Sequence, residues 1–280
     1  MPLALLLPLI AQVGPGGALP QAPLQIPKPR TEAAAMPHSE AQPDPLKQCL
    51  DLAMARPADG IELAQGWLAQ AKTMKDRAGA KQCHALALTR IDGWGEAAAL
   101  FLSAREDTPV TDADERARLA ALAGNADLAA GDAEAGLAAL DLARADARGG
   151  AKGDLKGAIE IDRARALVAL GRLPEAEAAL SDAREFAPDN HQAWLLSATL
   201  SRRQGKLAEA QSQIERAAQL FPVDPEIGLE AGVIAVLSGH DDAARKSWQS
   251  VIVAAPGSDA AKTAQGYLDQ LGPAAAPSAK

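Results

Sequence analysis

The sequence predicts an all-α fold in which one two-helix unit is repeated. Three observations carry this. Gly171, Gly205 and Gly239 follow one another in 34-residue steps, as do Pro188, Pro222 and Pro256, and Ala176, Ala210 and Ala244. Landmarks that share one period of this size mark a repeat architecture. Between each glycine and its proline runs an alanine-rich amphipathic stretch, as in LGRLPEAEAALSDAREFAPDN over 170–190. Aromatic residues make up only 3% of the chain, and no run alternates with period 2, so the usual strand formers are scarce.

From the N-terminus, residues 1–22 open with MPLALLLPLIA, an apolar run too short to span a bilayer comfortably. It matches the apolar core of an export signal, although no Lys or Arg precedes Lys28. Pro2, Pro8 and Pro15 suit no folded helix, and cleavage is expected after Ala11, Ala18 or Ala22. Residues 23–44 read as a disordered Pro/Ala-rich linker. Two degenerate units are expected over 45–112. One starts near Pro45 and uses Asp59, Ala64, Leu68 and Ala71; the other starts near Gly79 and uses Gly93, Ala98 and Leu102. A third degenerate unit spans 117–150 with Gly124, Gly131, Leu140 and Ala143. Ala113 to Arg116 and Ala151 to Lys156 read as insertions. Three clear units fill 157–258, a capping helix takes 259–271, and 272–280 is a disordered tail.

The segment from His191 to Asp224 shows how a unit is built. Trp194, Leu195 and Ala198 place apolar groups on one face of a first helix, and Gly205 ends it by accepting a left-handed conformation. Ala210, Ile214 and Ala217 then form the stripe of a second helix, which Pro222 stops.

This pattern resembles the tetratricopeptide repeat. The resemblance rests on Trp194, Ala198, Gly205, Ala210, Ala217 and Pro222, and then on Gly232, Gly239, Ala244, Trp248 and Pro256. The preceding unit matches at Ala164, Gly171, Ala176, Leu180, Ala183 and Pro188. It implies a right-handed superhelical solenoid of helix-turn-helix repeats whose open end needs a cap. It also implies that first helices line a concave groove for extended peptides or partner helices. The family's groove positions fall on Arg56, Arg90, Arg118, Asn125, Arg165, Gln192, Leu195, Thr199, Arg202, Arg203, Glu226, Leu229, Val233 and Val236. Six arginines against one glutamate, in a chain of net charge −8, point to an acidic peptide or a C-terminal carboxylate. The bland alternative is that arginines at helix ends complement the helix dipole.

Catalytic chemistry finds no foothold. The four histidines have no ligand spacing, and phosphate-loop, H-E-x-x-H and G-x-S-x-G motifs are missing, so no metal, cofactor or catalytic residue is assigned. Asp112, Asp114, Asp241 and Asp242 read as helix-start residues. The acidic balance argues against a nucleic-acid partner. Cys49 and Cys83 stand 34 residues apart at equivalent places of the first two units. Two readings stay open for them, a bridge and two small buried thiols; helix axes ~8–10 Å apart argue against the bridge.

The functional expectation is a non-catalytic protein–protein interaction scaffold of the bacterial periplasm or cell envelope, with no membrane span once the leader is removed. A cytosolic adaptor or co-chaperone, a scaffold anchored by an uncleaved leader, and the regulatory arm of an enzyme complex are the rivals.

Overall fold

The computed structural model describes residues 44–273. The export-like segment, all of the linker before Asp44 and the tail from residue 274 onward lie outside the described residues. Within them the chain forms thirteen helices and no strand, so the all-α repeat solenoid expected from the sequence is the fold observed. Six hairpins follow one another: α1 (Pro45–Ala55) with α2 (Pro57–Gln70), α3 (Met74–Thr89) with α4 (Trp94–Asp107), and α5 (Ala113–Ala129) with α6 (Ala133–Ala147). Then come α7 (Gly153–Ala169) with α8 (Leu173–Phe186), α9 (His191–Arg203) with α10 (Leu207–Leu220), and α11 (Pro225–Leu237) with α12 (Asp241–Ala254). A single helix, α13 (Asp259–Leu271), closes the stack.

Local chemistry sets the helix ends. Asp44, Thr73, Asp112, Asp132, Asn190, Asp224 and Ser258 each accept a first-turn backbone N–H with a side-chain oxygen. Gly171, Gly205 and Gly239 hold φ of 73°, 76° and 78° after α7, α9 and α11. There the chain folds back on itself, with Arg172 N–H donating to Leu167 C=O at 2.8 Å and Gly171 N–H to Val168 C=O at 3.1 Å.

Several bounds differ from those read in the sequence. The second hairpin starts at Met74, well before Gly79, because Thr73 caps it. Ala113 to Arg116 are not an insertion but the first turn of α5, which Asp112 caps. Gly153 to Lys156 likewise belong to α7, leaving a five-residue loop, Arg148 to Lys152, after α6. In the first hairpin only Arg56 separates α1 from α2, since Pro57 is well suited to open a helix.

Small residues let the helices of a hairpin approach. A Cβ on Gly124 would meet Leu140 Cγ at 2.6 Å and the Gly136 carbonyl at 2.9 Å, so α5 and α6 meet backbone to backbone. Larger residues fill the seams between hairpins. Leu167, Leu180 and Leu200 share one buried cluster across α7, α8 and α9; Leu195, Ile214, Ile227 and Ile234 share another across α9, α10 and α11. At the end of the stack Tyr267 of α13 lies 5.1 Å from Trp248, ring to ring, and covers the apolar face that a further unit would otherwise bury.

Cys49 of α1 and Cys83 of α3 form a disulfide, with Cα atoms 5.9 Å apart and both residues fully buried. The bridge is thus the one of the two open readings that the structure takes. The helices approach closely because alanines surround the bond: Ala53, Ala64 and Ala87 share its cluster. Facing is also favourable. Counted in the sequence register from Pro45, Gly79, Gly157 and His191, residues Cys49, Cys83, Ile161 and Leu195 are the fifth of their units, and all four are buried, Ile161 against Ala193 of the next first helix.

A candidate peptide groove

The groove expected from the sequence would be lined by the first helices of the hairpins, so the surfaces of α5, α7, α9 and α11 are where its residues must be sought. Arg165, Arg203, Asn125 and Arg90 are exposed, while Gln192, Thr199, Arg202 and Val233 are half-buried. Leu195 is not a surface residue. It is 4% exposed and packs with Ala198, Ile214 and Ile227, because the fifth position of a unit points into the seam with the next first helix. Val233 packs with Leu229 and Val236 in the cluster under α13. Gln192 belongs to the start of α9, where its N–H is held by Asn190 Oδ1 at 3.0 Å. The Thr199 hydroxyl donates to the Leu195 carbonyl at 3.1 Å.

The arginine excess seen in the sequence is largely neutralised in space. Arg202 is clamped by Glu230 of α11, with nitrogen–oxygen distances of 2.6 and 3.3 Å. Arg165 pairs with Asp162 at 2.5 Å, and the other oxygen of Asp162 accepts from the Asn125 amide at 2.8 Å. Arg118 pairs with Glu115 at 2.6 Å, and Arg56 with Asp59 at 2.7 Å. Among the described residues Arg90 and Arg203 form no ion pair. The carboxylates of Asp162 and Glu230 were missed in the sequence because family groove positions do not fall on them. The spacing Asp162–Arg165, three residues on one helix face, was the signal for the first; nothing local announces the second.

A small apolar cavity of about 190 Å³ lies between α7 and α9. Ala164, Val168, Leu196 and Leu200 line it, with Leu180 of α8. Arg165 and Arg203, one on each helix, and Thr199 add its polar atoms. Of the residues predicted for the groove, the cavity therefore brings together Arg165, Thr199 and Arg203, and it leaves Arg90, Asn125, Gln192, Arg202 and Val233 outside. Such an arrangement can take an apolar side chain and face a neighbouring carboxylate with a guanidinium. Among the described residues no group of three or more His, Cys, Asp or Glu side chains could hold a metal ion, and no helix is long and apolar enough to cross a membrane.

Comparison with known proteins agrees with this architecture. No protein of curated function matches the chain. A family model described as tetratricopeptide repeat matches residues 161–225 and 195–260. Among solved structures, PilW, described as a widely conserved type IV pilus biogenesis factor, is similar at a TM-score of 0.63 and 16% identity, over 79% of this chain and 98% of its own. PilF of Pseudomonas aeruginosa is similar at 0.61 and 13%, over 80% and 98%. YrrB, described as a repeat protein with an unusual peptide-binding site, is similar at 0.50 and 20%, over 74% and 99%. Residues 161–260 thus match the tetratricopeptide repeat by sequence, and the stacked helical hairpins share their fold with these solved structures.

Proposed function

We propose that this chain is an exported, non-catalytic scaffold of the bacterial periplasm or cell envelope that holds an extended acidic peptide, or a partner helix, against α7 and α9. Interaction with other proteins is what tetratricopeptide repeats serve. The observation that carries the finer reading is the cavity between α7 and α9, with its apolar lining and its two arginines. An aliphatic or aromatic anchor of the partner fills it. An acidic residue beside the anchor meets Arg203, whose charge is not taken up by a carboxylate of the protein. The likeness to YrrB, described as having a peptide-binding site, is in keeping with this.

Export is supported by three observations: the leader-like MPLALLLPLIA, the buried Cys49–Cys83 bridge, and the likeness to a pilus biogenesis factor. Disulfides persist in oxidising compartments and are rare in the cytosol.

Labelled peptides carrying Leu or Phe flanked by Glu, and the same peptides flanked by Lys, test the groove by fluorescence polarisation. The acidic set binds more tightly, and Arg165→Glu/Arg203→Glu weakens it by about tenfold, as expected for losing one or two charge-assisted contacts. Equal binding of both sets, or none, would sink the groove reading. Arg202 is not a useful probe, because Glu230 already occupies it. For export, the decisive observation is the mass and N-terminal sequence of protein from fractionated cells. A periplasmic chain starting between Gln12 and Gln25 supports it; a cytosolic chain starting at Met1, with reduced thiols, supports the cytosolic adaptor instead.

A further inference from the structure

A second candidate site lies apart from the cavity between α7 and α9, at the N-terminal end of α7, where the repeat departs from the length of α9 and α11. Gly171 and Gly205 close α7 and α9 at matching places, yet α7 has 17 residues and α9 has 13. α7 therefore begins one turn early, about 6 Å of extra helix at 1.5 Å per residue. The extra turn follows the loop that carries Gly149 and Gly150, and Lys156 closes it. It packs on the end of α8. Gly153 lies so close to the Phe186 carbonyl that a side chain there would collide with it, and Lys156 Nζ sits 5.7 Å from the centre of the Phe186 ring.

Between this turn, the end of α6 and Phe186 lies a cavity of about 260 Å³. Its apolar lining comes from Ala147, Ile159 and Phe186, and its cations are Arg144, Arg148 and Lys156. One carboxylate lines it, that of Glu160, which is 2% exposed and already engaged. Its two oxygens hold Arg144 at 2.8 Å and Arg163 at 2.7 Å. Arg144 is held further by Asp182 at 3.3 Å, so its guanidinium is positioned before anything binds. Arg148 and Lys156 form no ion pair among the described residues. In a chain of net charge −8, this is a local reversal of sign around an apolar hollow.

We propose that this cleft binds an anionic group carried on an aromatic or branched aliphatic body. Arg148 and Lys156 meet the anion, Arg144 is the fixed donor beside them, and Ile159 and Phe186 enclose the body. The volume falls below the ~300–1,000 Å³ of pockets for drug-sized ligands, so the occupant is one residue of a partner or a small free acid. Both sources share the chemistry of a carboxylate on an apolar group. The site is independent of the α7–α9 groove and does not rest on that reading.

The test uses the full chain with ¹³C-labelled isoleucine methyl groups and follows the Ile159 methyl resonance. N-acetylphenylalanine stands in for a chain terminus and phenylacetate for a free acid. N-acetylphenylalaninamide lacks the charge, and acetate lacks the body. We expect saturable shifts from the two acids at up to about 10 mM, with the two controls at least tenfold weaker. Tighter binding of N-acetylphenylalanine assigns the site to a partner's terminus, and tighter binding of phenylacetate to a free acid; either supports it. Arg148→Glu/Lys156→Glu, with helical circular dichroism unchanged, weakens binding at least tenfold, whereas Arg165→Glu/Arg203→Glu leaves it intact. A missing saturable shift, an equal response to the neutral amide, or full binding by the Arg148→Glu/Lys156→Glu variant overturns the proposal.

Discussion

Asp92 holds φ at 61°, in the turn between α3 and α4 where later hairpins use Gly131, Gly171, Gly205 and Gly239. A side chain in this region is strained by its Cβ, though Asp tolerates it better than most. Asp92→Gly should therefore raise stability by about 0.5–1 kcal/mol in urea unfolding, the relief outweighing the greater freedom of glycine in the unfolded chain; a loss would show that the Asp92 side chain contributes something at the turn. His84 belongs to the same hairpin and is 8% exposed. Burial lowers its pKa below the ordinary 6.5, and the charge of Glu96 only partly opposes this. As pH falls through 6.5 the unfolded chain takes up the proton first, so the stability that neutral His84 contributes is present above 6.5 and drains away below it. The melting temperature should fall between pH 7.5 and 5.5, and fall less in His84→Gln; equal falls would assign the effect to other groups. None of this was visible in the sequence, because burial belongs to the fold and His84 carries no local motif.

At the scale of elements, the legible features were those written in nearby residues. Glycine stops, prolines after second helices and alanines at the crossings announced α7 to α12. The early hairpins were harder because their close contacts use other residues. In the third, Gly124 and Gly136 face each other across α5 and α6, where the later units carry Ala164 and Ala198 on the first helix and Ala176 and Ala210 on the second. Gly124→Ala should cost about 1–3 kcal/mol, since the new Cβ would meet the Gly136 carbonyl and the backbone must shift; urea denaturation measures this, and no change would mean that the pair has slack. The first turn of α5 was read as an insertion because its anchor lies outside the turn, on the end of the preceding helix. Arg116 donates to the carbonyls of Arg105 and Thr108 at 2.8 and 2.9 Å and so caps the end of α4.

In the whole molecule, each hairpin is stabilised chiefly by its neighbours, as in other repeat stacks. Among the described residues the first hairpin has a neighbour on one side only, and the bridge from Cys49 to Cys83 ties it to α3. Closing a loop of this length restrains the unfolded chain by about 3–4 kcal/mol in the entropic account. Cys49→Ala/Cys83→Ala should therefore lose about 2–4 kcal/mol, with amide protection falling in α1 to α3 and unchanged in α9 to α12; a uniform loss would show that the stack unfolds as one unit. The sequence by itself determined the repeat, the all-helical class and the glycine turns that close α7, α9 and α11, because a 34-residue period and helix-end chemistry are local properties. It left the cysteines undecided, counted as free several arginines that are paired, and placed Leu195 on the surface. Only the tertiary structure decided these points. Which residue faces the next first helix, and which carboxylate reaches which guanidinium, depends on how one hairpin stacks on another. Such contacts as Arg202 with Glu230, 28 residues apart, arise only when the stack closes.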